Sequence, residues 1–459
     1  MYTRIALLIA SLGFMQNLDS AIINTSFPQM AHSFGVTAMR LSLGVTSYLL
    51  AVAAISPLSS WLMQRFGSRN VLALAVGLFT VASVCCGASH TLAMFVASRL
   101  LQGMGGALLA PVGSALVLRF TPKADYLRIT SIMIWPVLMA PIIGPVIGGL
   151  ITEHASWRWN FWLNVPVGIF GVIAILRMIP NEREEARRPI DLLGFAYCAT
   201  ALTCLLAGLQ RASLGPAERR VTFALLGVGI LAAVSAVRHL KRHATPLLSL
   251  KPLTRRSLRI AAIAPGAFFL AIFSSAQFLL PLLFQLGFGM SPATAGGWVL
   301  VYFCGNLGMK LVTTRILRTF GFKNVLVTNA ALVALSLLLC VLMHPGLPKI
   351  ALFSILLFAG CTRSMQMTAI GSVAYADVAD TERSTASSLM AMIQQAASAA
   401  GVAVAALCIS IFQGIHHSTA VAIADFHDTF AISAVIALAG TMVLMGVPRD
   451  IGSEISGRR

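Results

Sequence analysis

Apolar runs of about twenty residues recur along the whole chain, and this pattern constrains the fold more than any other feature of the sequence. The chain has 459 residues, of which 58% are hydrophobic and only 10% are charged. Such runs must be helices, because a segment that crosses lipid has to satisfy its own backbone hydrogen bonds. The sequence therefore predicts an all-α protein that crosses a membrane many times.

We predict fourteen membrane spans, and the distribution of basic residues orients them. The predicted spans cover residues 5–28, 43–63, 70–89, 92–117, 129–151, 160–178, 191–209, 221–237, 260–286, 294–313, 325–343, 350–373, 386–412 and 429–447. With the N-terminus in the cytoplasm, most of the 33 Lys and Arg residues fall in cytoplasmic segments, as the positive-inside rule requires. We therefore expect an inner (plasma) membrane protein with both termini in the cytoplasm.

The first span contains a carboxylate, Asp19, at a depth where a charge is costly. It lies about fifteen residues beyond Arg4, which at roughly 1.5 Å per helical residue places it near the bilayer centre. Such a group needs a partner, a proton or a water-filled cavity. Arg99 lies inside the fourth span and needs an acceptor, because arginine keeps its proton. We expect the two to lie close together, or to share a network through Gln102 and Asn24. The pair is then either a static ion pair or a proton carrier.

Two more basic residues lie within spans of the second half, and we find no acid there at comparable depth. These are Lys310 and Arg363, and two cations facing a cavity would attract an anion. A structural role is the alternative, since Lys310 could extend to the membrane surface and polar residues often serve helix packing. The candidate cavity residues are Asn24, Gln102, Gln277, Gln285, Asn306, Lys310, Arg363 and Gln366, with Gln16, Asn17, Trp135, Gln394 and Gln395 as further polar and aromatic candidates.

The net charge of +18 does not indicate nucleic-acid binding, because the basic residues cluster at span ends and in short loops. The eight cysteines all lie in apolar runs without the spacing of metal ligands. Asp191, at the start of the seventh span, is interpreted as a helix N-terminal acid that the dipole favours. We predict no cofactor, no metal site and no nucleic-acid partner.

An internal repeat divides the chain into two halves. Residues 65–72 (RFGSRNVL) follow the second span, and residues 319–326 (TFGFKNVL) follow the tenth. Both copies occupy a short cytoplasmic loop between two predicted helices. Parallel repeats of this kind are typical of transporters built from two halves, with a central site at their interface.

Several segments resemble motifs of the major facilitator superfamily. Residues 60–69 resemble its loop motif between helices two and three, residues 99–107 its helix-four motif, and residues 140–149 the helix-five motif typical of proton-driven antiporters. Residues 18–28 and 157–166 resemble signatures of the fourteen-helix drug:proton antiporter branch, the EmrB/QacA type. The resemblance covers essentially the whole chain.

This resemblance implies the major facilitator fold, with six-helix bundles over residues 1–180 and 257–450. Two extra helices would lie within residues 181–256, and residues 451–459 would form a short cytoplasmic tail. It implies a proton-coupled exporter of the multidrug type that works by alternating access. Asp19 and Arg99, paired by their depth and charge, are our candidates for proton coupling. The partners would be protons, the lipid bilayer and an amphipathic drug or an organic anion. We expect it to work as a monomer.

The resemblance also implies a gate and hinge set: Arg65, Gly67, Arg69, Gly144, Pro145, Gly148 and Gly149. Glycines permit close helix approach and proline bends a helix, although small-residue packing alone would need the same residues. The chain departs from the family pattern at Gln64, where an acid is usual, and at Ser60 and Ala140, where glycine is usual.

Three function classes compete at this point. A secondary exporter fits best, and within it a multidrug pump competes with an exporter of organic anions, such as carboxylates or their metal chelates, recognised by Lys310 and Arg363. An ATP-driven pump is disfavoured, since the chain lacks the G-x-x-x-x-G-K-[ST] loop. A membrane enzyme would need a cluster of catalytic residues near one membrane face, and the sequence shows no such cluster. A fixed channel is disfavoured by the two-fold repeat and the hinge-like glycines.

Overall fold

The structure is a computed structural model. It describes residues 2–121, 126–180, 191–212, 219–243, 246, 250, 253, 259, 278–374, 383–418 and 420–446.

The first half is a continuous series of helices joined by short turns. They are α1 (Tyr2–Ile22), α2 (Phe27–Phe34), α3 (Ala38–Ile55), α4 (Ser59–Phe66), α5 (Ser68–Gly87), α6 (Leu92–Phe120), α7 (Tyr126–His154), α8 (Trp159–Trp162) and α9 (Asn164–Met178). Tight turns at Ile23–Ser26 and Ser56–Leu58 continue α1 into α2 and α3 into α4. The first predicted span therefore extends to Phe34, where Gly35 ends it in a left-handed conformation.

The second part of the chain begins with a hairpin of two helices. The hairpin consists of α10 (Leu192–Ala212) and α11 (Arg219–Arg242). The helices that follow are α12 (Leu280–Leu282), α13 (Pro292–Phe320), α14 (Phe322–Val341), α15 (Lys349–Ala374), α16 (Arg383–Ile415) and α17 (Ile423–Met445). A wider helical turn over Leu283–Gly287 follows α12.

The described residues contain thirteen helical segments long and apolar enough to cross a membrane. Each coincides with one of the predicted spans. The remaining prediction, residues 260–286, lies largely outside the described residues.

The internal repeat reappears as a matched pair of turns. Gly67 separates α4 from α5 with φ +82° and ψ +142°, and Gly321 separates α13 from α14 with φ +79° and ψ +154°. Positive φ values of this kind favour glycine, because a Cβ atom would clash with the backbone. The two copies of the repeat therefore specify the same helix–turn–helix geometry.

Helix packing falls into two groups with a shared interface. In the first half α6 packs on α3 and α5, α1 packs on α7, and α5 packs on α9. In the second, α13 packs on α15, and α14 packs on α15 and α17. The groups meet where α7 packs on α13 and α16 packs on α3. That interface positions the cavity described below.

Candidate functional site

Asp19 and Arg99 form an ion pair deep within the first helix group. Nη1 of Arg99 donates a hydrogen bond to Oδ2 of Asp19 at 2.8 Å. The exposed fraction is 2% for Asp19 and 1% for Arg99, so water does not screen the pair. The expected proximity of these two residues, 80 positions apart on α1 and α6, is confirmed.

Three neutral side chains complete the hydrogen-bonding of this pair. Oδ1 of Asp19 accepts from Nδ2 of Asn164 at 2.7 Å and from Nε2 of Gln102 at 2.9 Å. Gln102 also accepts from Arg99 through its Oε1 and donates to Oγ of Ser83 at 2.8 Å. All three are buried. Both carboxylate oxygens therefore have donors, as a buried charge requires. We call Asp19, Arg99, Gln102, Asn164 and Ser83 the acid cluster.

An aromatic ring covers the guanidinium. The Cζ atom of Arg99 lies 4.3 Å from the centroid of the Tyr48 ring, and its Nε donates to the carbonyl oxygen of Gly44 at 3.4 Å. Tyr48 is itself buried and its hydroxyl accepts from Gln16. The cation–π contact and the backbone acceptor thus connect Arg99 to α3. Through these contacts and those of the acid cluster, α1, α3, α5, α6 and α9 are held together.

Sequence reasoning identified the ion pair but only part of its surroundings. Asn24 was expected in the network, yet its Nδ2 donates to the backbone oxygen of Ser20, one turn earlier on the same chain segment. The expectation was wrong in this respect: the contact of Asn24 lies within its own chain segment, at the tight turn over Ile23–Ser26. Asn164 and Ser83 were missed, although Asn164 belongs to the 157–166 segment already recognised as a signature.

A cavity of about 230 Å³ lies between the two helix groups. It is lined by Asn17, Val137, Leu138, Pro141, Ile142, Phe303, Asn306, Leu307, Lys310, Arg363, Ser364 and Met367. These residues come from α1 and α7 on one side and from α13 and α15 on the other. The cavity thus brings together Asn306, Lys310 and Arg363, three of the predicted cavity residues.

The cavity has a basic and aromatic wall. The Cζ atom of Arg363 lies 5.8 Å from the centroid of Tyr302 and 5.6 Å from that of Phe303. Lys310 lies on α13 two turns beyond Phe303 and lines the same cavity. No Asp or Glu is among the described residues that line it. The chemistry of the wall therefore suits a ligand with a negative charge and an apolar body.

The remaining predicted cavity residues lie elsewhere. Asn24 lines a smaller space of about 40 Å³ with Pro145 and Pro281. Gln102 is part of the acid cluster, and Gln366 is fully buried, accepting from Asn329 at 2.8 Å. Gln285 accepts from Gln29 at 3.4 Å across the two groups. Gln277 lies outside the described residues.

The gate and hinge glycines of α7 make close contacts on two sides. A Cβ atom on Gly144 or Gly148 would meet Ala21 or the backbone of Ile22 on α1. One on Gly149 would collide with the carbonyl oxygen of Pro292 at the start of α13. These glycines therefore permit helix approach, and Gly149 does so between the two groups.

The start of α13 contacts the end of α7 through three further residues that sequence reasoning missed. A Cβ atom on Gly296 would collide with the carbonyl oxygen of Pro145. The backbone N–H of Ala293 donates to Oε2 of Glu153 at 3.1 Å. We call Pro145, Gly149, Glu153, Ala293 and Gly296 the seam. The positions of these residues in the sequence do not indicate that α7 and α13 contact each other.

The seam and the cavity lie at different depths along the same pair of helices. The seam uses the end of α7 and the beginning of α13, whereas the cavity uses Val137 on α7 and Lys310 on α13, which lie several turns away. The loop glycine Gly67, with Arg65 and Arg69 beside it, lies between α4 and α5 away from the seam. The two groups are therefore in close backbone contact on one side of the cavity.

The model of the family described as "Major Facilitator Superfamily" matches residues 9–402. The chain belongs to the major facilitator superfamily. Among curated relatives, "Putative multidrug resistance protein MdtD" of Klebsiella pneumoniae is 33% identical over 455 residues, covering 97% of this chain and 95% of the relative. The protein of the same name from Escherichia coli K12 is 33% identical, covering 99% and 97%. The expected family is confirmed, with relatives of the fourteen-helix EmrB/QacA type.

Solved structures support the fold. An auto-inhibited peptide transporter of the POT family superposes with a TM-score of 0.71 at 14% identity, with 97% of each chain covered. The all-α major facilitator fold expected from the sequence is thus confirmed. The chain is a multi-pass membrane transporter of this superfamily and not an enzyme.

Proposed function

We propose that this transporter exports small amphipathic molecules from the cytoplasm in exchange for protons, by alternating access. The multidrug resistance name of its relatives supports a drug-like substrate. The observation that carries the proposal is the cavity between the two helix groups, bordered on one side by the seam. A cavity closed on one side at a time is what alternating access requires. We also propose the division into bundles over residues 1–180 and 257–450, with two extra helices between them, working as a monomer.

The direction of transport rests on orientation. The excess of Lys and Arg in one set of loops favours an N-terminus in the cytoplasm. In that orientation the end of α7 lies at the outer surface, so the seam closes the outer side. The cavity near Lys310 then faces the cytoplasm, which is the side from which an exporter takes its substrate.

Proton coupling is assigned to Asp19. Helix α1 carries Asp19 of the acid cluster and also Asn17, which lines both the large and the small cavity. Protonating Asp19 would leave Arg99 without its counter-charge, and breaking a buried pair costs about 3–5 kcal/mol. A shift of α1 that relieves this cost would also move the cavity wall. Proton binding and cavity shape are linked through one helix.

An organic anion is the second candidate substrate. Lys310 and Arg363 both line the cavity, and no Asp or Glu is among its described lining residues. A pump for lipophilic cations would need an acidic group to balance the cation. The cavity wall instead favours carboxylates, or metal chelates that keep a net negative charge.

The test is substrate-induced proton movement in proteoliposomes, with panels of cationic and anionic compounds. Proton-coupled export predicts that a transported compound drives proton flux in wild type, and that Asp19→Asn abolishes the flux. Asp428→Asn, which changes a half-exposed acid far from the acid cluster, is the matched control. Undiminished proton flux in Asp19→Asn would contradict the assignment of Asp19, and transport insensitive to a protonophore would contradict proton coupling.

A further inference from the structure

The two extra helices are joined at their base by a group of ligating side chains unrelated to the cavity. Asp191 immediately precedes α10, His239 lies in the last turn of α11, and His243 follows one turn later. One ligand atom from each of the three lies within 4.8 Å of those of the others. Two histidines four positions apart share one helix face, so α11 presents both imidazoles to the carboxylate.

The carboxylate is held in place and already contacts one imidazole. Oδ1 of Asp191 accepts from the backbone N–H of Gly194 at 2.8 Å, which caps the start of α10 as expected for a helix N-terminal acid. The same oxygen lies 2.8 Å from Nε2 of His239. A carboxylate offers about four lone-pair positions, so it can cap a helix and contact a second partner at the same time. Asp191 is buried, which fixes its position.

The second imidazole, that of His243, lies beside the imidazole of His239. The centroids of the His239 and His243 rings are 4.9 Å apart, and His243 is exposed to solvent. Zinc bonds of about 2.0–2.2 Å place neighbouring ligand atoms of a tetrahedral site roughly 3.4 Å apart. Oδ1 of Asp191 and Nε2 of His239 are closer than this, at 2.8 Å, so an ion requires them to move slightly apart and His243 to turn toward them.

We propose that Asp191, His239 and His243 bind one Zn²⁺ ion at the cytoplasmic base of the α10–α11 hairpin. Imidazole and carboxylate suit this borderline metal, and water would take the fourth position. The ion ties the beginning of α10 to the end of α11. The hairpin is then held by a cross-link at its base in addition to its apolar packing.

The surroundings set limits on the affinity. Arg238, Lys241 and Arg242 are exposed on α11 near the site, and their positive charges oppose the binding of Zn²⁺. Binding also requires neutral imidazoles, so protons compete with the metal. We therefore expect Zn²⁺ binding that weakens as the pH falls.

The experiment uses the full chain in detergent, with any polyhistidine tag removed and bound metal stripped by a chelator. Zn²⁺ is titrated against a chromophoric chelator, and thermal unfolding is followed with and without Zn²⁺. We expect one Zn²⁺ per chain and a higher Tm with metal, because a ligand that binds only the folded state stabilises it. His243→Ala should weaken Zn²⁺ binding at least about tenfold, since even a ligand's outer partner is worth that much.

Two variants keep the test decisive. His243→Ala changes an exposed side chain, so its Tm without metal should match wild type. His416→Ala is the matched control, because His416 lies outside the proposed site, beside Asp425 and Asp428. It should leave the Zn²⁺ affinity and the metal-induced Tm shift unchanged. Equal affinity in wild type and His243→Ala would overturn the proposal, and so would loss of binding in His416→Ala alone. The transport assay plays no part in this test.

Discussion

Asn164 of α9 and Arg99 of α6 hold the two oxygens of a single carboxylate, that of Asp19, from different helices. Nδ2 of Asn164 is 2.7 Å from Oδ1, and Nη1 of Arg99 is 2.8 Å from Oδ2. One donor is charged and the other is neutral. The charged donor balances the carboxylate electrostatically, whereas the neutral one fixes its orientation and remains a partner if Asp19 takes up a proton.

The ion pair should show strong energetic coupling. Asp19→Asn and Arg99→Gln should each lower stability by about 3–5 kcal/mol, because each leaves a buried charge without its partner. The double variant should be more stable than the sum of the two effects predicts. Denaturant unfolding in detergent measures all three. Purely additive effects would mean that the two residues do not stabilise the fold as a pair.

Asn164 should contribute through its hydrogen bonds to Asp19 and Ser83. Asn164→Ala should destabilise the protein by about 1–3 kcal/mol, since Oδ1 of Asp19 loses one of its two donors. Asn324→Ala is the matched control, because Asn324 is exposed and donates only to the carbonyl oxygen of Phe320, across the turn between α13 and α14. Thermal unfolding of the two variants side by side gives the difference. Equal Tm values would show that Gln102 alone satisfies Oδ1.

The basic wall of the cavity should decide substrate charge. If the substrate is an anion, Lys310→Ala and Arg363→Ala should each weaken its binding by about tenfold, and Lys310→Glu should weaken it further through repulsion. Lys349→Ala, at the far end of α15, should leave binding unchanged. Equilibrium binding to purified protein makes the comparison. Tighter binding of a cationic drug to Lys310→Glu than to wild type would favour the multidrug interpretation instead.

The seam should control the equilibrium between the two access states. Gly149→Val places a side chain against Pro292 and should open the seam, whereas a Cβ atom at Gly77 meets open space, so Gly77→Val should not. An Ala293→Cys reporter, labelled by a membrane-impermeant maleimide from outside intact cells, measures the opening. We expect faster labelling in the Gly149→Val background. Unchanged labelling would mean that the seam tolerates a larger side chain.

The candidate site was predicted best where chemistry alone demands a partner. A carboxylate near the bilayer centre and an arginine in another span had to find each other, and Asp19 and Arg99 do. The role of Asn24 was predicted wrongly and that of Asn164 was missed. Both are neutral amides in apolar runs. Their depth in the membrane does not determine their hydrogen-bond partners, which depend on the neighbouring helices that they contact.

The sequence by itself determined the spans, the repeat and the family, because apolar length, glycine turns and motif order are local properties. It also determined that α1 carries a charge which must be neutralised. Only the tertiary structure decided that Asp19 faces a sealed cluster while Asn17, two residues earlier, faces the cavity between the halves. The physical reason is that successive helical residues point about 100° apart. Which of them meets a neighbouring helix depends on rotation and packing between segments far apart in the chain.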